Sequence, residues 1–223
     1  MNKVIFDIET AGTDFESLDK TSQEYFLRYA KTDEEKDEIR DSLSFYPATA
    51  EIVALGMLDA ETDKGYMFYQ EKSSAKKRLT QDGIEFIPAK EKEILEYFWE
   101  QIKICRQFVT FNGRGFDCPF ILTRSAILKV KPTRNLVPYR YDHKQHVDLM
   151  DQLMFYGASR RKFSLHMWCK AFGIPSPKEE GVTGLEVKDL FKQGKCFDIA
   201  RYCVGDLRAT RALFDYWERF LKF

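Results

Sequence analysis

The sequence has no excess charge of either sign, since 35 lysines and arginines stand against 35 aspartates and glutamates among its 223 residues. Proteins that coat nucleic acid or anionic membranes through bulk electrostatics are usually strongly basic, so this neutrality argues against a coating protein. Any nucleic-acid-binding function therefore needs its positive charge to be concentrated locally.

Long apolar runs and paired cysteines are also missing. No stretch approaches the ~20 apolar residues of a membrane span, and the apolar residues 4–6 are too few for the core of a signal peptide. The five cysteines are odd in number and lack CxxC pairs, which argues against a disulfide framework or a zinc ribbon. His166 and Cys169 lie one helical turn apart, but no second ligand pair accompanies them. We therefore expect a protein of the reducing cytoplasm that makes no membrane contact.

The composition is that of a folded domain. Hydrophobic residues make up 44% of the chain, and charged residues of both signs make up 31%, which excludes a disordered tail or a fibre. The length allows one large domain or two small ones, and the sequence has no internal repeat. We expect a single domain over residues 1–223, with a charged helical excursion at about residues 11–46.

Strand and helix patterns alternate along the chain. β-branched and aromatic runs predict strands at residues 4–8, 51–58, 65–70 and 107–111, the middle two forming an antiparallel hairpin. Helical periodicity predicts helices at residues 17–30, 32–43, 90–105, about 119–128 and 199–221. The chain is predicted to be mostly helical from residue 147 onward, with a break at residues 173–177. This order predicts an α/β domain with one mixed sheet flanked by helices.

The charges are segregated along the chain. Residues 1–70 hold 7 basic and 16 acidic residues, whereas residues 71–170 hold 19 basic and 11 acidic ones. Basic residues are concentrated at residues 129–144 and 160–162. A solvated loop and a flank that contacts phosphates are both compatible with such a pattern.

Two carboxylates lie at the end of the first predicted strand. Asp7 and Glu9 lie at positions i and i+2, so their side chains point to the same face of the sheet. Two like charges at this spacing repel unless a cation lies between them, and a divalent metal that prefers oxygen ligands fits that role. Exposed strand faces often carry such pairs, but the apolar residues 4–6 favour a cleft.

A second candidate follows the strand at residues 107–111. Asp117 comes after a glycine-containing turn, where it would also serve as an ordinary N-cap of the next helix. That role leaves Asn112, Gly113 and Gly115 unexplained, and these residues suggest that another group approaches the backbone closely.

The last candidates lie on the longest predicted helix. Tyr202 and Asp206 are one turn apart and share a face, a spacing that a core-edge tyrosine and a surface aspartate would also have.

Three motifs follow one another along the chain: Phe6-Asp7-Ile8-Glu9-Thr10, Asn112-x-x-x-Phe116-Asp117 and Tyr202-x-x-x-Asp206. In these motifs the chain resembles the DEDD (DnaQ-like) superfamily of 3′-to-5′ exonucleases, in its tyrosine-bearing DEDDy subclass. It is most similar to stand-alone predicted exonucleases related to the proofreading exonuclease domain of family B DNA polymerases.

The resemblance, which spans residue 4 to about residue 213, implies a ribonuclease H-like fold. It also implies a two-metal-ion hydrolysis of single-stranded DNA from its 3′ end, with release of nucleoside 5′-monophosphates. Two Mg²⁺ or Mn²⁺ ions would be involved: Asp7 would bridge them, Glu9 and Asp206 would bind one, and Asp117 would hold the other through water. Tyr202 would orient the attacking water, because a phenol with an ordinary pKa near 10 is a poor base at neutral pH.

The resemblance further implies contacts to the substrate. Thr10 and Asn112 are plausible contacts to the terminal nucleotide, and Phe116 could stack on a base, although packing in the core explains that residue equally well. Related polymerases often carry a lysine where this chain has Gly205, so one cationic contact near the site is missing. Seventeen residues follow Asp206, and we therefore expect no polymerase domain in cis.

Three alternatives remain at the level of sequence. An exoribonuclease would use the same carboxylates, a non-catalytic nucleic-acid-binding module would keep the fold, and an interaction protein could use residues 11–46 as a partner surface. No motif specifies a protein partner. If the chain is a nuclease, its neutrality predicts modest substrate affinity that weakens with salt.

Overall fold

A seven-stranded mixed β-sheet runs through the computed structural model, which describes residues 2–71, 77–176 and 186–222. The strands are β1 Lys3–Gly12, β2 Ala50–Asp59, β3 Gly65–Gln70, β4 Leu79–Gln81, β5 Ile84–Ala89, β6 Gln107–Thr110 and β7 His146–Asp148. Their spatial order is β4-β5-β3-β2-β1-β6-β7. The pairs β1–β2, β2–β3 and β4–β5 are antiparallel, whereas β3–β5, β1–β6 and β6–β7 are parallel. The predicted mixed sheet is confirmed.

Helices cover both faces of this sheet. They are α1 Lys20–Leu27, α2 Asp33–Ser42, α3 Glu91–Ile102, α4 Asp117–Ile127, α5 Leu149–Leu153, α6 Leu165–Phe172, α7 Val187–Lys192 and α8 Cys196–Phe220. One buried cluster joins the sheet to α8, and the other joins it to α3 and α4. Ile5 and Phe6 belong to opposite clusters because successive residues of a strand face opposite sides. None of the described helices is both long and apolar enough to cross a bilayer.

Three strands lie where the sequence predicted none. β4 is short and exposed, β7 has three residues, and β5 contains Pro88, a residue that argues against a strand. Pro88 is tolerated because the pairing of β4 with β5, over the described residues, ends at Phe86. β1 is longer than the predicted residues 4–8, since its pairing with β2 continues to Gly12 across a register shift between Glu9 and Thr10.

The predicted helices are present, with different ends. Between β1 and β2 the chain forms α1 and α2, flanked by 3₁₀ turns at Phe15–Ser17 and Leu43–Phe45. Neither α1 nor α2 buries a side chain fully. α8 begins at Cys196 rather than at residue 199. The predicted break begins where α6 ends before Gly173, and Pro177, the last residue of that break, lies outside the described residues.

Candidate active site

The first two motifs meet at one edge of the sheet. β1, β6 and β7 are parallel neighbours, so their carboxyl ends lie at the same edge, where α/β proteins commonly bind ligands. β6 pairs with residues 3–5 of β1, and the chain that follows β6 therefore reaches the middle of β1. There the backbone N–H of Ile8 donates a hydrogen bond of 3.1 Å to Asp117 Oδ1.

Asp7 and Glu9 share the face of β1 that is directed toward α8. Their neighbours on that face, Ile5 and Ala11, belong to the cluster beneath α8. One carboxylate oxygen from each residue lies within 4.8 Å of the other and of Cys203 Sγ. The pair lies within the strand rather than at its end, because β1 continues to Gly12. The register shift directly after Glu9 is a bulge of the kind that redirects side chains beside active sites.

Helix α8 approaches the sheet closely at Gly56, the cross-strand partner of Asp7. A Cβ atom added at Gly56 would lie only 2.4 Å from Leu207 Cδ1 of α8, so the Leu207 side chain packs directly on the backbone of β2 there. Cys203, on the same helix, donates from Sγ to Asp7 Oδ2 at 3.7 Å. The third motif is thereby held over the first.

Neighbouring carboxylates raise the pKa of Asp7 and of Asp117. Burial, followed by the like charges of Asp117, Glu9 and Asp206, holds the pKa of Asp7 well above its ordinary value. Burial is also the main reason that the pKa of Asp117 rises to about 7, against the lowering effect of the N–H from Ile8. Because each charge disfavours the next, the four carboxylates cannot all ionise cheaply at neutral pH without a cation.

The donor set fits a divalent cation that prefers oxygen ligands. Asp7, Glu9, Asp117 and Asp206 offer carboxylate oxygens, which are the ligands of magnesium and manganese sites. Cys203 is a hydrogen-bond donor rather than a thiolate ligand, since burial and the neighbouring carboxylates hold the pKa of its thiol well above the ordinary value. Bound cations would relieve the repulsion that the buried carboxylates impose.

Tyr202 lies half-buried beside these carboxylates and shares a hydrogen bond with Asp206. Burial, and then the charges of Asp206 and Glu9, raise the pKa of the phenol far above its ordinary value. The hydroxyl therefore stays protonated and donates to the Asp206 carboxylate. Its two lone pairs remain able to accept a hydrogen bond.

The turn at residues 112–116, here called the motif turn, is held by a carboxylate that the sequence analysis missed. Asp148, at the end of β7, accepts hydrogen bonds from the backbone N–H groups of Asn112 at 3.0 Å and of Arg114 at 2.8 Å. Asp148 is 3% exposed, and burial raises its pKa. Asp117 begins helix α4 instead of capping it, and its side chain bonds to β1.

Because Gly113 and Gly115 have no Cβ atom, the side chains of nearby residues can approach the backbone of the motif turn. A Cβ atom on Gly113 would lie 2.3 Å from Thr110 Oγ1, and one on Gly115 would lie 2.8 Å from Asn112 Oδ1. The sequence suggested close approach by another group, and the structure identifies these two side chains as the groups that approach. Asn112 itself has φ +62°, a left-handed conformation that asparagine tolerates better than most residues.

The three predicted substrate contacts are placed differently from one another. Thr10 is 8% exposed and its hydroxyl donates to the Ser44 carbonyl at 2.7 Å, so it anchors the 3₁₀ turn that precedes β2. Asn112 lines a cavity beside Asp148. Phe116 is half-buried, with its ring 6.4 Å from that of Phe45. Phe116 packs against the buried cluster that joins the sheet to α3 and α4, and the Thr10 hydroxyl is engaged by Ser44, so only Asn112 of the three lines an open cavity.

Two residues of the site had a weak signal in the sequence. Asp148 follows Val147 at the end of a short strand, which is the same order of strand and carboxylate as Phe6-Asp7, but the three residues His146–Asp148 are too few to predict a strand. Cys203 lies between Tyr202 and Asp206 and was counted only among the five reduced cysteines. All five cysteines are free and buried.

Comparison with known proteins adds a family and a fold. Residues 70–220 match the family described as "Predicted 3'-5' exonuclease related to the exonuclease domain of PolB". No curated protein sequence matches the chain. The structure of the family B DNA polymerase from the hyperthermophilic archaeon Pyrobaculum calidifontis matches with a TM-score of 0.60 and 17% sequence identity. That match covers 98% of this chain but only 24% of the polymerase.

These matches differ in what they cover. The matched family segment contains the second and third motifs, whereas Asp7 and Glu9 precede it. The structural match extends over nearly the whole chain, including β1. At 17% identity it establishes the fold alone, a mixed sheet flanked by helices of the ribonuclease H type.

Proposed function

Since the chain belongs to the family of predicted 3′-5′ exonucleases related to the exonuclease domain of PolB, we propose that it hydrolyses single-stranded DNA from the 3′ end with two divalent metal ions. This proposal is supported by the close approach of Asp7 and Glu9, by the hydrogen bond of Asp117 to Ile8, and by the effect of the Asp206 charge on the pKa of Asp7 and Asp117. We further propose that residues 1–223 act as one exonuclease domain, of the DEDDy subclass, which includes the excursion at residues 11–46.

Each carboxylate has a defined position in this proposal. Asp7 is partly accessible and has a like charge on each side, so it would bridge two Mg²⁺ or Mn²⁺ ions. Glu9 and Asp206 would bind one of them, and Asp117 would hold the other through water. Bound divalent ions lower the pKa of water and neutralise charge on the phosphoryl group. Two doubly charged cations balance four carboxylates, so a polyanion is no longer repelled.

Tyr202 would orient the attacking water rather than deprotonate it. Its hydroxyl is protonated and donates to Asp206, so the water can donate to a phenol lone pair but cannot pass a proton to a phenolate. Asn112, and the accessible face of Phe116, would contact the terminal nucleotide. Each cycle would release one nucleoside 5′-monophosphate.

The proposal is tested with a 5′-labelled single-stranded oligonucleotide, incubated with Mg²⁺, with Mn²⁺ or with EDTA. We expect a ladder of shortened products with metal, none with EDTA, and nucleoside 5′-monophosphates on chromatography. Asp7→Ala should abolish the ladder. Asp215→Ala, which changes an exposed aspartate of α8, is the matched control and should cleave like the wild type.

Further substrates separate this activity from its alternatives. A blocked 3′ end should prevent cleavage, and a circular single strand should stay intact. A matched RNA oligonucleotide that is degraded faster than the DNA would assign the enzyme to RNA trimming. Equal degradation by the wild type and Asp7→Ala would contradict the metal site itself.

A further inference from the structure

Three neighbouring tyrosines near the motif turn have rings tilted by 59° and 50° to one another, and two of the three are exposed. Tyr139 and Tyr141 are 73% and 54% exposed. The ring centroids of Tyr139 and Tyr141 are 5.5 Å apart, and those of Tyr141 and Tyr156 are 4.7 Å apart. Large rings that stay exposed side by side on a folded protein commonly mark an interaction surface, because burying them against a partner is favourable. We call these three residues the tyrosine stack.

Hydrogen bonds fix the tyrosine stack to the candidate active site. The guanidinium of Arg114, a residue of the motif turn, donates to the Pro138 carbonyl at 2.7 Å and to the Tyr139 carbonyl at 3.3 Å. At the other end, Gln152 Nε2 donates to the Tyr156 hydroxyl at 2.7 Å. The backbone that carries Tyr139 is therefore tied to the motif turn, and the Tyr156 ring is tied to α5.

The backbone beneath the stack is strained. Phe155 and Tyr156 have φ values of +47° and +56°, and two consecutive left-handed residues with large side chains are costly. Strain of this kind persists where the surrounding structure imposes it, and it is concentrated at binding and catalytic sites. Here it sets the direction of the Tyr156 ring toward Tyr141.

Positive charge lies beside the tyrosine stack. A cavity of about 410 Å³ next to the motif turn is lined by Asn112, Arg114, Arg140 and Lys162. Asp151 offsets part of that charge, since it pairs with Arg140 at 3.0 Å and lies 3.8 Å from Arg114. Residues 160–162 are exposed basic residues that form no ion pair with any residue the structure describes. Arg140 from residues 129–144 and Lys162 from residues 160–162 thus line the same cavity.

We propose that the tyrosine stack and the adjacent cations bind single-stranded nucleic acid on the 5′ side of the terminal nucleotide, an inference that rests on the proposed exonuclease function. Bases would stack on Tyr139 and Tyr141, because every base offers a face to an aromatic ring regardless of sequence. Lys162 would contact the phosphates that connect them. A duplex keeps its bases stacked on one another, so this surface selects single strands.

The test measures binding separately from hydrolysis. Fluorescence anisotropy with a labelled oligothymidylate of about 12 nucleotides, in EDTA, follows the affinity of the wild type and of Tyr139→Ala/Tyr141→Ala. We expect the double variant to bind at least about fivefold more weakly. Tyr29→Ala removes a ring that is 77% exposed on the excursion and should bind like the wild type. Lys162→Ala should reduce the dependence of log affinity on log salt by about 0.7.

The outcomes separate this inference from the proposed function. Weaker binding by the double variant, with oligothymidylate or with oligouridylate, supports the surface whether or not hydrolysis occurs. Equal binding by the double variant and Tyr29→Ala, or no measurable binding by the wild type, overturns it. Active hydrolysis with unchanged binding in every variant would leave the exonuclease function standing and refute the tyrosine stack alone. Because both substituted rings are exposed, melting temperatures should match and verify folding.

Discussion

Asp117→Asn is expected to make the metal-free protein more stable at pH 8, even though it removes a proposed metal ligand. Asp117 is 3% exposed, and burial together with the like charges of Asp148 and Asp206 raises its pKa to about 7. An amide has the same shape, carries no charge, and can still accept the hydrogen bond from Ile8 through its oxygen. The substitution therefore removes an unfavourable buried charge and little else.

The size of the expected gain in stability follows from the pKa of Asp117. Between pH 3.8 and about 7 the folded protein binds more protons at Asp117 than the unfolded chain does, so its stability falls as the pH rises through that window. The difference between the folded and unfolded pKa of Asp117 corresponds to about 4 kcal/mol of lost stability, at 1.36 kcal/mol per pH unit. This value is an upper limit because neighbouring carboxylates titrate as well. We expect Asp117→Asn to gain about 2–4 kcal/mol at pH 8, which is roughly 5–15 °C in melting temperature.

Thermal unfolding followed by circular dichroism in EDTA, at pH 4.5, 6 and 8, measures this effect. The gain should shrink steadily toward pH 4.5, where the wild-type carboxyl is protonated in the folded state. Asp215→Asn, at an exposed position of α8, should show no such trend. Mn²⁺ should raise the melting temperature of the wild type more than that of Asp117→Asn. A variant no more stable than the wild type at pH 8, or a gain independent of pH, would refute the reasoning.

Substitutions at three further positions separate catalysis, stability and positioning. Tyr202→Phe should lower kcat about 10- to 100-fold with little change in KM, because it removes only the hydroxyl bonded to Asp206; an unchanged kcat would contradict its role. Arg124→Met should cost about 3–5 kcal/mol in urea unfolding, since it leaves Glu91 buried without its partner, while the folded protein keeps its specific activity. Asp148→Ala should lower kcat more than Asp148→Asn, which keeps one acceptor for the motif turn; equal rates would exclude a positioning role.

The neutral charge of the chain has a structural explanation in its uneven distribution. Acidic residues of β1 supply two proposed metal ligands, whereas basic residues of the middle segment lie around the cavity beside the motif turn. The acidic excess of residues 1–70 and the basic excess of residues 71–170 nearly cancel, and one further positive charge from residues 171–223 brings the sum to zero. An enzyme of this kind would obtain much of its positive charge from bound cations, which fits repeated release of a shortened strand better than tight coating would.

Much of the sheet was predictable because its strands are short apolar runs with clear ends. The segments at residues 51–58 and 65–70 form the predicted antiparallel pair within β2 and β3. The exceptions have identifiable causes. β5 was missed because Pro88 argues against a strand, and β7 because three residues carry too little periodicity. The end of β1 was misjudged because its pairing with β2 continues across a bulge, which depends on a partner about 40 residues away.

The sequence by itself determined the chemistry that this protein can hold. The order of the three motifs, the spacing of Asp7 and Glu9, and the single turn between Tyr202 and Asp206 are local features, and local periodicity decides which side chains share a face. Only the tertiary structure decided which faces meet. Parallel pairing of β6 brings Asp117 to Ile8, and Gly56 lets α8 place Cys203 against Asp7. Such contacts arise from packing between segments about 50 to 200 residues apart, and the burial that raises the carboxylate pKa values exists only after that packing has formed.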